Sequence, residues 1–188
     1  MLDVTGNVRN YFFKRKLNKN AKDVFRVIRL TPFSSVKYVG LIVGRSLIEK
    51  DSEGLKKIIE LLNHHKKNYF FIILTDKKHL PEFLNNLPHI VISKKDVTFS
   101  QAPSDKITQK LKVQKFDFLI DLNQQPLRSA FFIEAVSDAT LRIGKASSER
   151  YPYVDFMVEW RDSDTVLQFF ENIIYYLSMM TEKADRKK

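Results

Sequence analysis

The chain has 188 residues, of which 44% are hydrophobic, with no cysteine and a formal net charge of +10. One domain with a sizeable core fits this length. The missing cysteines exclude disulfides, thiolate metal sites and a cysteine nucleophile, and they fit a reducing compartment. No apolar run approaches the roughly 20 residues that span a bilayer. Lys14, Arg15 and Lys16 interrupt any signal-peptide core near the N-terminus, so a cytoplasmic protein is expected.

The charge is unevenly placed. Residues 1–30 carry eight Lys or Arg against Asp3 and Asp23, and residues 182–188 carry four against two, which leaves the body nearly neutral. Basic ends on a neutral domain point to an anionic partner or to a solubilising role. Residues 3–19 read as a helix, with Asp3 or Thr5 as N-cap and with Val4, Val8, Tyr11 and Phe12 near one face. Arg9, Lys14, Arg15, Lys16 and Lys19 lie largely elsewhere. Such a basic amphipathic helix can lie on a membrane surface, bind RNA phosphates, or pack its aromatic face on the domain. A linker follows to residue 22. Val24 to Leu30 alternates apolar residues with Arg26 and Arg29 imperfectly, which leaves helix and strand both open, and Pro32, Ser34 and Ser35 break the chain.

The expected single α/β domain, residues 23–181, begins with a core strand over Val36–Val43 and a loop over Gly44–Lys50. Asp51 or Ser52 caps a helix whose Leu55, Ile58, Ile59 and Leu62 form a stripe. Strands follow at Tyr69–Leu74 and Ile90–Ile92, separated by at most a short helix between Pro81 and Pro88. Val97–Phe99 is a candidate short strand, and Ser104 caps a helix through Ile107 and Leu111. Residues 116–144 then read as strand, turn, helix, strand, with Pro126 at the first helical position. Tyr153–Trp160 alternates as a strand with one polar face, which suits an edge. The last helix begins at Ser163, and a basic tail occupies residues 182–188. The alternation predicts an open, mostly parallel Rossmann-like sheet with helices on both faces.

Ligands in that architecture bind beyond the carboxyl ends of the strands. No complete phosphate-binding glycine motif is present, so no nucleotide cofactor, and no cofactor of any other kind, is expected. His64, His65, His79 and His89 lack metal-ligand spacing, so no metal is expected. Asp117 and Asp121 share one side of a strand. They form either a carboxylate pair in a cleft or, as turns and caps commonly use Asp, separate structural groups. Arg128 and Ser129 at the start of the next helix can hold an anion beside its N-terminus, unless Arg128 pairs with a surface carboxylate.

The run Phe116-Asp117-Phe118-Leu119-Ile120-Asp121-Leu122, with Leu127-Arg128-Ser129-Ala130 and Ala139–Gly144, resembles part of the acceptor-binding domain of heptosyltransferase-type glycosyltransferases. The resemblance implies a Rossmann-like domain. In that family a catalytic Asp follows a glycine after the first strand, whereas here the corresponding run is Val43-Gly44-Arg45, so sugar transfer is not implied. The whole chain also resembles a family of small uncharacterised bacterial proteins with a basic N-terminal helix and one Rossmann-like domain, which implies a fold but no activity.

The expectation is a non-catalytic binding or accessory module. Arg9, Lys14, Arg15, Lys16 and Lys19 contact an anionic partner, nucleic acid or ribosome first, with Tyr11, Phe12 and Phe13 as stacking or apolar anchors, while the neutral body docks on a protein. The alternatives are a peripheral protein on anionic lipid and a glycosyltransferase-like or nucleotide-binding enzyme using Asp117, Asp121 or Arg128.

Overall fold

The computed structural model describes residues 4–22, 24–77 and 79–185. Asp3 and residues 186–188, which belong to the expected cap and tail, lie outside that range. The described elements are α1 (Val4–Ala21), β1 (Tyr38–Gly44), α2 (Arg45–Lys50), α3 (Ser52–His64), β2 (Asn68–Leu74), α4 (Glu82–Asn85), β3 (His89–Ile92), α5 (Asp105–Lys112), β4 (Phe118–Asp121), α6 (Arg128–Val136), β5 (Leu141–Lys145), β6 (Phe156–Val158) and α7 (Val166–Asp185).

Six parallel strands form one sheet in the order β3-β2-β1-β4-β5-β6. This is the Rossmann order, in which the winding direction reverses between β1 and β4. Strands buried on both faces lose the alternation of an exposed sheet, and β1 and β4 accordingly read as nearly unbroken apolar runs. Leu41, Val43, Phe71, Ile73, Phe118 and Ile120 point to one face, where α3 brings Leu55, Ile58 and Leu62 and α7 brings Phe169, Phe170 and Ile173. Ile42, Ile72 and Leu119 point to the other, against Ile107 and Leu111 of α5 and Ala130 and Ile133 of α6. A helix layer therefore covers each face.

Asp51 couples two helices on the first face. One carboxylate oxygen caps α3 at Gly54 N (3.0 Å) and the other accepts from Val166 N at the start of α7 (2.8 Å). At the far end of α3, Lys66 occupies the left-handed region with φ 53°, and Lys67 N returns to Leu62 O at 2.9 Å, a Schellman-type close.

Several expectations need correction. Residues 45–50 form α2 rather than a loop, because the chain turns into a helix directly at Gly44. The expected strand at Val97–Phe99 is only an isolated bridge from Val97 to Pro103. Helix α6 starts at Arg128 with Leu127 as its N-cap, so Pro126 precedes the helix. On α1, Phe13 and Leu17 are the buried residues. They pack on Phe131, Phe132, Ala135 and Val136, while Val8, Tyr11 and Phe12 face outward. The aromatic ring of Phe13 fills the groove beside Phe132 (centroids 6.3 Å apart), and that rotation of the helix turns the expected apolar face to solvent.

Residues 24–30 form neither a helix nor a strand ladder. Arg26 anchors them through its carboxylate partner Asp155 and through Ala139 O (3.2 Å). Phe25, Val27, Ile28 and Leu30 stay exposed. No described helix is long and apolar enough to cross a membrane.

Candidate functional site

Two regions of the surface hold the predicted residues. The first is the outer face of α1. Placing Phe13 and Leu17 inward fixes what the rest of the helix can do. Arg9 and Lys16 fall on the inner flanks: the Arg9 guanidinium lies 5.0 Å from the Phe99 ring centroid, and Lys16 pairs with Asp105 at 2.9 Å. That lysine is the main reason the Asp105 carboxyl is held below its ordinary range. Lys14, Arg15 and Lys19 point outward, with Lys22 at the end of the helix, and none has an ion-pair partner among the described residues. Tyr11 and Phe12 stand beside them, edge to face with centroids 5.6 Å apart, and 62% and 49% exposed respectively. Shallow grooves flank this face on both sides, one between Tyr11, Lys14 and Lys22 and the other between Phe12, Lys19 and Phe99. Three of the five predicted cations thus form one free cluster with the aromatics, while the other two fasten the helix to the body.

The second region is a cleft of about 510 Å³ at the carboxyl ends of β1, β2, β3 and β4. It lies where a doubly wound sheet opens a crevice, because the loops after β1 and β4 leave in opposite directions. Arg128 and Ser129 are on its wall at the first turn of α6, and Gly44, Asn123 and Gln125 are on its floor. An added Cβ at Gly44 would collide with the Asn123 side chain, so glycine is what lets the two loops meet. Gly44 N donates to Asn123 Oδ1 at 2.6 Å across that contact.

A fully buried ion pair holds the floor from below. Arg150 donates to Asp121 Oδ2 from Nε (3.3 Å) and Nη2 (3.1 Å), and Nη2 also reaches the carbonyls of Asn123 and Gln125. Asp121 Oδ1 accepts from Asn123 N at 3.0 Å and from the Asn123 side-chain amide. Burial pushes the Asp121 carboxyl up, and Arg150 pulls it back down. Asp117 lies at the opposite end of β4, where Oδ2 accepts from Lys37 N (2.7 Å) and Tyr38 N (2.9 Å). The two aspartates are four positions apart along the strand, about 13 Å at 3.3 Å per residue, so the structure does not bring them together. Asp117, Asp121, Arg128 and Ser129 therefore have three separate settings: the amino end of the sheet, the buried floor and the cleft wall.

Sequence reasoning missed Arg150, Asn123 and Glu134. Glu134 on α6 is fully buried, and neither carboxyl oxygen has a hydrogen-bond partner among the described residues. Burial first, and then Asp121, raise its pKa well above the ordinary range, against the pull of Arg150 and Arg142. Burial likewise lowers Arg142 to about 10, although its Nη2 donates to Ala135 O (3.1 Å) and Ser137 O (2.7 Å). The one available signal for Arg150 was an aspartate inside an apolar strand, since a buried carboxylate calls for a cation from elsewhere. Among the described residues no group of three or more His, Asp or Glu is placed to hold a metal ion. The residue after Gly44 is Arg45, whose side chain pairs with Glu49 at 3.0 Å.

Residues 9–180 match a family of unknown function (DUF6913). The match begins inside α1, so most of that helix lies within the family's unit. No curated protein gives a significant match.

Proposed function

We propose that the chain, which belongs to that family of unknown function, is a non-catalytic α/β binding module that docks on RNA through the outer face of α1. The observation that carries this reading is the division of labour along the helix. Phe13 and Leu17 fix it to α6, and Lys14, Arg15 and Lys19 are left unpaired beside two exposed aromatic rings. Unpaired cations bind phosphates with release of counterions, and exposed rings stack on unpaired bases without regard to sequence. The same arrangement disfavours a lipid surface. A helix lying in a bilayer interface needs a continuous apolar face turned outward, and here the largest and best-aligned apolar pair faces the protein.

The test is direct binding of the full chain to a single-stranded RNA oligomer and, separately, to vesicles rich in anionic lipid. The comparison protein is the triple variant Lys14→Gln/Arg15→Gln/Lys19→Gln, whose three positions are exposed and leave the core untouched. Salt-sensitive RNA binding that the triple variant loses supports the proposal. Binding to vesicles but not to RNA replaces it with the membrane reading, and equal RNA binding by both proteins removes α1 from the account.

A further inference from the structure

Phe99 lies across a groove from Phe12 of α1 and is 61% exposed, on a turn that is firmly held. Thr98 N donates to Ala102 O at 2.8 Å and Gln101 N to Thr98 O at 2.9 Å, while Gln101 closes the turn in the left-handed region at φ 66°. The bridge from Val97 to Pro103 ties its base, and Ser100 and Ala102 are buried. Ser129 Oγ on α6 donates to Gln101 O at 2.7 Å. None of these contacts uses the side chain at position 99. The ring is placed instead against α1, where the Arg9 guanidinium lies over it at 5.0 Å from the centroid.

The groove between the turn and α1 has a volume of about 520 Å³, within the range that takes a group the size of a nucleotide. Arg15, Lys16 and Lys19 line its α1 side. Among the described residues its one acid is Asp105, and Lys16 already pairs with that carboxylate at 2.9 Å. Arg15 and Lys19 therefore leave the groove net positive, with an aromatic ring on each wall. Cations along a groove with rings across it suit a single nucleic-acid strand, whose backbone follows the cations while its bases stack on the rings. A duplex keeps its base faces covered by neighbouring pairs, so the rings gain nothing from it.

We propose that Phe99 is a base-stacking residue, and that α1 and the turn at residues 97–103 are the two walls of a site for single-stranded rather than duplex RNA. This rests on the RNA reading of α1 and extends it onto the body. Arg15 and Lys19 hold phosphates, and Phe12 and Phe99 take bases. Arg9 keeps the Phe99 ring in place, which lowers the ordering cost when a base arrives.

The test measures the affinity of the full chain for a labelled single-stranded RNA oligomer, for the same oligomer annealed to its complement, and for inorganic polyphosphate. The variants are Phe99→Ala and Phe99→Leu, the second keeping an apolar side chain under Arg9 without a ring face. Both should weaken single-strand binding by about fivefold to a hundredfold, the loss of one stacked base. Neither should change the slope of log affinity against log salt, because no phosphate contact is removed. Polyphosphate binding should stay as in the native chain, and the native chain should prefer the single strand to the duplex. Phe99→Trp should retain single-strand binding, with the fluorescence of the new indole quenched as RNA is added. Unaltered single-strand affinity in Phe99→Ala and Phe99→Leu, with Lys14→Gln/Arg15→Gln/Lys19→Gln still weakened, would overturn this inference and leave α1 as the docking face. An equal loss for polyphosphate would also overturn it, because the ring would then act through Arg9 and the fold rather than on a base. So would equal affinity of the native chain for duplex and single strand. Absence of RNA binding by the native chain would remove both this inference and the reading it rests on.

Discussion

Replacing Arg150 with Met tests whether the buried pair supports the cleft. Arg150 is fully buried, and its guanidinium serves four acceptor contacts: two to Asp121 and one each to the carbonyls of Asn123 and Gln125. Methionine keeps most of the apolar stem and removes every donor. Asp121 is left as an uncompensated buried carboxylate with only the Asn123 backbone and amide donors, and breaking a buried pair in this way costs about 3–5 kcal/mol. That is a fifth or more of the total stability of a domain with about 5–15 kcal/mol to lose. The loss has a built-in limit, because Asp121 can take up a proton, and burial already pushes its carboxyl in that direction. The penalty should therefore be smaller at pH 5 than at pH 8. Asp121→Asn in the Arg150→Met background removes the unpaired charge, so the double variant should be more stable than the sum of the single losses by roughly 2 kcal/mol. Urea unfolding followed by Trp160 fluorescence and far-UV circular dichroism gives all three values. A loss below about 1 kcal/mol for Arg150→Met, or single losses that add to within about 0.5 kcal/mol, would refute the reasoning.

Three further perturbations follow from particular contacts. Glu134 is a buried acid whose folded pKa is raised above the ordinary 4.5. The folded chain therefore keeps a proton that the unfolded chain releases, and stability from this group is complete below about 4.5 and falls as pH rises toward the folded value. The slope approaches about 1.4 kcal/mol per pH unit. Glu134→Gln has no proton to lose, so its stability relative to the native chain should rise with pH across that window, and a pH-independent difference would count against a buried neutral acid. Lys66 sits at φ 53° in the close of α3, where glycine is at ease, and Lys66→Gly should raise stability by about 0.5–1 kcal/mol in thermal or urea melts. Phe13→Ala deletes the main anchor of α1, a buried phenylalanine change that costs about 3 kcal/mol. Hydrogen exchange should show residues 4–21 losing protection while β1 and β4 keep theirs, and unchanged protection of α1 would show that the helix is held by something else.

The parallel sheet was legible because two-sided burial writes apolar runs into β1, β2 and β4, and the helices α3, α5 and α7 were legible because each buries one stripe against it. Helix α2 was not, since six residues are too few to show a helical period and β1 runs straight into it. The packed face of α1 was misread for a different reason. Val8, Tyr11 and Phe12 look like a core stripe, but the groove on α6 accepts Phe13 and Leu17, and Arg9 and Lys16 can border that contact because Phe99 and Asp105 receive them. Lys14, Arg15 and Lys19 could be picked from the sequence as cations. Their separation from Arg9 and Lys16 depends on that rotation and could not. Arg128 and Ser129 were visible as a helix start, and the structure places them on the cleft wall. Arg150 was hidden because it sits in a polar run, Lys145–Pro152, that reads as a loop, and its partner is 29 residues away.

The salt dependence of RNA binding tests the central claim most directly. Affinity for a single-stranded RNA is measured between about 50 and 200 mM salt for the native chain and for Lys14→Gln/Arg15→Gln/Lys19→Gln. Each phosphate neutralised on a single strand contributes about 0.7 to the slope of log affinity against log salt, so loss of three contacts should flatten the slope by about 2. That flattening, with weaker binding at every salt concentration, is the predicted result. Identical slopes for the two proteins, or no RNA binding at the lowest salt, would contradict the assignment of α1 as the docking face.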